Sequence, residues 1–270
     1  MDTSVWQFQF MQNAVLASIL VSITCGFLGT LVTTNRLVFA SGGLAHAAYG
    51  GVGLAWFSGW PIYIGVLLFL VPLAIVVALI QGVLRERAET LIGVMWAGGM
   101  ALGVILIDLT PGYKSNLMSY LFGSLLTVSY ADLFAIGISG SVIAFTVILF
   151  YPSLMSVAQD SEYARSRGLP VSFLQVLVLL MVAVGVVALM RTSGLILMIA
   201  LLTIPAAISR AYVQSWRGLI LGSSMTALVI NLGGLAISWI VNISSSAASI
   251  LVAALLYFLN LAFLGLTKRI

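Results

Sequence analysis

The sequence predicts an all-α, polytopic integral membrane protein of about nine transmembrane helices, with the N-terminus outside and the C-terminus inside. Three observations predict it. Hydrophobic residues make up 62% of the 270-residue chain and charged residues only 7%, against roughly 25% charged in an ordinary soluble domain. The apolar residues fall in runs of about 20, the length a helix needs to cross a bilayer. The basic residues divide unequally between the two sides of the resulting topology, as the positive-inside rule requires.

The first span is read over Phe8–Thr33, closed by Asn35 and Arg36. It has no basic n-region and is too long for a signal peptide, so it is taken as retained. The second is Leu37–Phe57, ended by the turn Ser58-Gly59-Trp60-Pro61, and the third is Tyr63–Leu84. A charged loop, Arg85–Glu89, leads to the fourth, Thr90–Leu109, and the turn Thr110–Tyr113. Asn116–Ser129 is apolar but short for a crossing, which leaves a re-entrant or interfacial helix or the start of the next span. The fifth span is Ala131–Tyr151. Ser156–Pro170 is the longest polar stretch, and the sixth span is Val171–Met190. The seventh, Leu195–Ile208, contains Pro205, expected to kink or end it because proline removes a helix hydrogen bond. The eighth is Leu219–Val241 and the ninth Ala248–Leu266, joined by the loop Asn242–Ser246. The whole chain, 1–270, is expected to pack as one transmembrane domain.

Alternating sides from an outer N-terminus puts Arg36, Arg85, Arg87, Arg165, Arg167, Arg210, Arg217, Lys268 and Arg269 inside. Only Lys114 and Arg191 fall outside, which accounts for all 11 basic residues. An error in an early span would mix the two sets. The formal charge of +4 therefore reflects membrane topology. No basic face forms for nucleic acid, and the natural environment is a lipid bilayer.

Little chemistry is available. The single cysteine, Cys25, sits in an apolar run and excludes an intrachain disulfide or a cysteine cluster. No GxxxxGK[ST], HExxH or GxSxG occurs, so neither ATP cradling nor hydrolase chemistry is expected on this chain. It is read as a non-enzyme without a covalently bound cofactor.

The exception is Ser41–Gly53, SGGLAHAAYGGVG, which holds the only histidine, His46. Residues four apart share a helix face. Gly42, His46 and Gly50 form one stripe, and Gly43, Ala47 and Gly51 the next. Small residues at this spacing either let another helix approach closely or leave room beside the imidazole for an ion or water. His46 lies about ten residues past Arg36, or roughly 15 Å along the helix, near the midplane of a hydrocarbon core about 30 Å thick. An ionisable group at that depth is a core hydrogen bonder or a pathway ligand. Asp108 and Asp132 fall near the outer surface, as ordinary interfacial charges or as a weakly acidic mouth for cations. Inside, Asp160 and Glu162 precede Arg165 and Arg167, an order that suits the helix dipole. Gly168 and Pro170 end the segment. A short capped helix there is either a solvated loop or a knob for a partner's groove.

Four stretches carry a family resemblance. They are SGGLAHAAYGGVG at 41–53, MSYLFGSLLTVS at 118–129, DSEYARSRGLP at 160–170 and LLTIPAAISR at 201–210. Together they make the chain similar to the membrane permeases of metal-uptake ATP-binding-cassette importers, the zinc, manganese and iron type. Glu162, Ala164 and Gly168 also match the glutamate-alanine-alanine…glycine loop of bacterial importers.

The resemblance implies a multi-pass permease of a bacterial or archaeal cytoplasmic membrane, working as a homodimer. It implies two copies of a separate cytoplasmic ATPase, with ATP bound there, docked through Asp160, Glu162, Tyr163, Ala164, Arg165, Arg167, Gly168 and Leu169. An extracytoplasmic metal-binding protein would deliver the divalent cation, and His46 would be a ligand along its path. Many members place an aspartate four residues before this histidine. Here that position is Gly42, which implies a weak or transient site. Two alternatives remain at the level of sequence: a permease for iron chelates or cobalamin-like cargo, and a cation-coupled secondary transporter. The first usually has more spans, and the second calls for midplane carboxylates and internal repeats.

Overall fold

The computed structural model describes residues 8–83, 85–111 and 118–267. Among them no strand occurs. The helices are α1 (Gln9–Thr34), α2 (Val38–Ser58), α3 (Ile62–Val83), α4 (Arg85–Leu109), α5 (Met118–Phe122), α6 (Tyr130–Leu149), α7 (Tyr151–Gln159), α8 (Ser161–Ser166), α9 (Val171–Leu189), α10 (Gly194–Arg210), α11 (Trp216–Val241) and α12 (Ser245–Thr267). Each expected span is a helix. The fold is that of a polytopic all-α membrane protein.

By length and composition, 7 helices among the described residues suffice to cross a membrane, fewer than the nine spans expected. The two others are α2, diluted by glycine and alanine, and α10, only 17 residues long. The charged loop expected at Arg85–Glu89 is instead the first turn of α4, because arginine, glutamate and alanine are good helix formers and no glycine or proline interrupts them. Asn116–Ser129 does not form a crossing. Its described part holds α5, 5 residues long, and a 3-10 turn at Leu125–Thr127, separated by Gly123 at φ 61°. Pro205 does not end α10, which continues to Arg210. Of the charges used to orient the chain, Lys114, Lys268 and Arg269 lie outside the described residues, as do Gly112, Tyr113, Asn116 and Leu117.

The chain groups into two compact units. The first takes in Met1–Thr33, Met118–Ser141 and Leu189–Ile270. In it α1 keeps its hydroxyls out of trouble by bonding them back to its own backbone. Ser18 Oγ donates to Ala14 O at 2.8 Å, Ser22 Oγ to Ser18 O at 2.6 Å and Thr30 Oγ1 to Gly26 O at 2.8 Å. With no water in a bilayer core, an unmade hydrogen bond there costs several kcal/mol. Ser22 Oγ also accepts from Asn231 Nδ2 of α11 at 2.9 Å. Gly26 lies against Ser224, and a Cβ on Gly29 would sit 2.8 Å from the carbonyl of Leu202 in α10. The pairs Ser22–Asn231 and Gly26–Ser224 run in opposite directions along the chain, so α1 and α11 are antiparallel.

In the same unit Ser129 caps α6. Its Oγ accepts from Asp132 N at 3.2 Å, and Asp132 Oδ2 accepts from Ser129 N at 3.0 Å, a reciprocal capping box.

The second unit comprises Thr34–Leu117 and Val142–Ala188. Its centre is α2, which approaches two neighbours nearly backbone to backbone. A Cβ on Gly51 would sit 2.5 Å from Val66 Cα of α3, and one on Gly65 2.6 Å from Ala55 Cβ. Towards α4, a Cβ on Gly53 would sit 2.6 Å from Gly103 O, and one on Gly99 2.7 Å from Ala47 Cα. Gly43 meets Ile92, and Gly103 meets the Tyr49 carbonyl. The matched positions rise together between α2 and α4 and oppose each other between α2 and α3. Helix α2 is thus parallel to α4 and antiparallel to α3, as consecutive crossings require. Despite its modest hydropathy, α2 runs alongside α4, a helix fit to span.

This contact makes a direct test. Gly103→Val places its branch against the Tyr49 carbonyl, which cannot swing aside, and should cost about 1–3 kcal/mol. Gly93→Ala meets open space and should be neutral or slightly stabilising in a helix. Thermal unfolding of both variants in detergent measures the difference. Equal midpoints would show that the two helices are not held at backbone contact.

Candidate functional site

His46 is half-buried on α2, and its Nδ1 lies 3.0 Å from the carbonyl oxygen of Gly42, one turn back. A carbonyl only accepts, so Nδ1 carries the proton in this bond. The neutral ring then leaves Nε2 unprotonated, with its lone pair available to a cation. Hydrogen bonding at one ring nitrogen sets the ligand chemistry of the other in this way.

The parallel packing of α2 and α4 fixes what faces the ring. Trp96, on α4 one turn before Gly99, stacks on the imidazole with centroids 4.2 Å apart and planes inclined by 25°. Phe39 stands 6.3 Å from Trp96 on its other contact. Of the small residues flanking His46, Gly43 and Gly50 pack towards α4, Gly50 also meets Phe69, and Gly51 packs on α3. These three carry helix packing. Gly42 is buried and supplies the carbonyl. No three of His, Cys, Asp and Glu gather as a metal cluster among the described residues. Sequence reasoning missed Trp96, Gly99 and Gly103. The available signal was the small-xxx-small spacing of Gly99 and Gly103, which complements that of α2.

Phe39 also borders a cavity of about 370 Å³, lined in addition by Arg36, Gln81, Glu89 and Gln175. A second cavity of about 290 Å³ shares Asn35, Arg36 and Gln175 and adds Gln159, Asp160 and Glu162. Polar side chains thus line both, and the second borders α8. Arg36 adopts φ 57°, a left-handed conformation that costs a side chain about 1 kcal/mol.

Helix α8 is built as its caps foretell. Asp160 Oδ1 accepts from Glu162 N and Tyr163 N, both at 2.9 Å. At the other end Gly168 takes φ 80°, suited to glycine, and Leu169 N bonds Ala164 O at 3.1 Å. Asp160 closes α7 and opens α8, so the short helix starts only at Ser161. Glu162, Tyr163, Arg165 and Arg167 are exposed, whereas Ala164 is fully buried and Leu169 half-buried. Arg167 Nε donates to Tyr163 Oη at 2.9 Å, and its guanidinium lies 5.4 Å from that ring centroid. This pair stiffens the exposed face.

The two acids expected near the outer surface differ. Asp108 is exposed in the last turn of α4. Asp132 is 2% exposed, and Arg191 approaches its Oδ1 at 3.1 Å. Its carboxylate is committed to the cap and the ion pair, which makes it a structural group rather than part of an open mouth.

Comparison with known proteins agrees with this architecture. A family model described as the ABC 3 transport family matches residues 7–264. An uncharacterized membrane protein of Synechocystis, slr2045, is 43% identical over 257 residues, covering 95% of this chain and 92% of the relative. The manganese transport system membrane protein MntC of Listeria monocytogenes is 29% identical over 257 residues, covering 95% and 91%. Among solved structures, PsaBC from Streptococcus pneumoniae in complex with Fab superposes with a TM-score of 0.85 at 28% identity, covering 95% of this chain and 92% of that one. A match over nearly the full length, in sequence and in fold, leaves one conclusion: the chain belongs to the ABC 3 transport family.

Proposed function

We propose that this chain is the membrane permease of an ATP-driven importer for a divalent transition-metal ion, manganese or zinc before iron, in a bacterial or archaeal cytoplasmic membrane. The observation that carries the proposal is His46. Its imidazole sits on a membrane-length helix, its Nδ1 is held by Gly42, and its Nε2 is left as a borderline ligand suited to such ions. One imidazole without a neighbouring carboxylate binds weakly. A conduit needs that, because it must release what it takes up. The manganese-transport name of the Listeria relative favours the same cargo. The chain acts as one domain, pairs with a second copy to enclose the path, and receives the ion from an extracytoplasmic binding protein. ATP is bound and hydrolysed on a separate cytoplasmic subunit.

Uptake of radioactive manganese or zinc into vesicles, with the ATPase subunit present, tests the ligand role. His46→Gln keeps a polar hydrogen-bonding side chain but is a poor metal ligand, so uptake should fall at least tenfold, about 1.4 kcal/mol, while assembly persists. Full uptake by His46→Gln would reduce His46 to a packing residue.

The exposed face of α8 is the docking surface for the ATPase. Arg165→Glu reverses a charge on that face and should sharply reduce co-purification of a tagged ATPase without changing permease stability. Ala164→Arg is a poor probe of docking, since Ala164 is buried and the change damages the permease itself. Undiminished capture of the ATPase by Arg165→Glu would remove α8 from the interface.

The orientation is N-terminus outside, C-terminus inside. Cys25 is only 1% exposed, so the parent is a silent background for labelling. A cysteine at exposed Asn242 should react with an impermeant reagent added from outside, and one at exposed Ser166 should not. The reverse pattern would invert the topology.

A further inference from the structure

We propose that Trp96 is a positioning residue for the transported cation, whose indole face supports His46 in place of the missing carboxylate. The inference rests on His46 being the pathway ligand. The indole and imidazole rings are nearly parallel, 25° apart, at a centroid separation of 4.2 Å. The imidazole is therefore held twice, in its plane by the Gly42 carbonyl at 3.0 Å and on its face by Trp96. Together these contacts restrict both side-chain torsions and leave Nε2 as the open atom.

The stack is also electrostatic. A neutral imidazole gains only ordinary aromatic stacking from a neighbouring ring. When Nε2 takes a divalent cation, positive charge spreads into the imidazole. The electron-rich face of tryptophan, the best of the aromatic side chains for this purpose, then attracts it as it attracts any cation. Trp96 thus stabilises the loaded state more than the empty one. A carboxylate at position 42 would do so by direct ligation and would hold the ion tightly. A π-face supplies part of that stabilisation without entering the coordination shell, so the ion can leave. The packing explains why Trp96 can serve. It lies one turn before Gly99, whose backbone contact with Ala47 brings α4 close enough for an indole to reach over His46.

The test compares Trp96→Leu, which keeps apolar bulk without a π-face, with Trp96→Phe, which keeps a weaker one. Each permease is assembled with its ATPase in vesicles, and Mn2+ uptake is measured against Mn2+ concentration. The expected result is a rise of about fivefold in KM for Trp96→Leu, a smaller rise for Trp96→Phe, and an unchanged maximal rate. A second readout is spectroscopic. Paramagnetic Mn2+ bound at His46 should quench part of the tryptophan emission of the parent, and that part should be absent from Trp96→Phe and from His46→Gln. Unchanged KM values in both variants, or equal rises in the two, would overturn the π-face role. So would Mn2+ quenching in Trp96→Phe equal to that of the parent. If Trp96→Leu does not fold, the Trp96→Phe KM and its quenching decide the matter by the same criteria. Failure of the parent to take up either manganese or zinc would overturn the importer assignment, and this proposal with it. Parental uptake with unaltered variants overturns this proposal alone.

Discussion

The backbone contact between α2 and α4 is the constraint on which the rest depends. In a bilayer, lipid tails are as apolar as leucine, so helices gain little from hiding apolar surface against each other. What holds them is close packing, and close packing needs residues without bulk. Gly53 against Gly103, and Gly99 against Ala47, bring the two main chains together. A side chain at these positions would push the helices apart and withdraw Trp96 from the His46 ring. The glycines around His46 therefore serve the site indirectly. They set the distance at which the next helix stands, and that distance decides which side chain covers the imidazole.

Several polar groups of this chain are given a partner close in sequence. The hydroxyls of α1 bond to carbonyls one turn back. His46 does the same with Gly42, Ser129 and Asp132 cap each other, and Asp160 caps α8. Local partners survive whatever the helices do relative to one another, which suits a transporter whose helices must move. The longer-range polar links are few and specific, such as Asn231 to Ser22 and Arg191 to Asp132. In low dielectric such links fix register firmly, because the alternative is an unsatisfied buried group.

Helix α8 shows the same economy. Asp160 and Gly168 define its two ends, and Ala164 anchors it inwards, so a segment of only 6 residues presents Tyr163 and Arg165 in a set direction. It borders a polar cavity that Arg36 also lines, in the connection leading into α2.

Helix class, the position of each long helix, the singular His46 and the end of α8 at Gly168 were legible in the sequence alone. These depend on local properties, namely apolar run length, glycine and proline placement, and hydrogen bonds between residues a turn apart. The start of α4 at Arg85 was missed because charge was taken to mean a loop, whereas the residues themselves favour helix. The partner of each helix face was not legible. In a soluble protein an apolar stripe marks the buried side. Here the lipid side is as apolar as the packed side, so periodicity does not distinguish them. Only the tertiary structure set Trp96 over His46, Gly103 against Tyr49 and Arg191 beside Asp132, pairs distant in sequence that become neighbours through the choice of which helices touch.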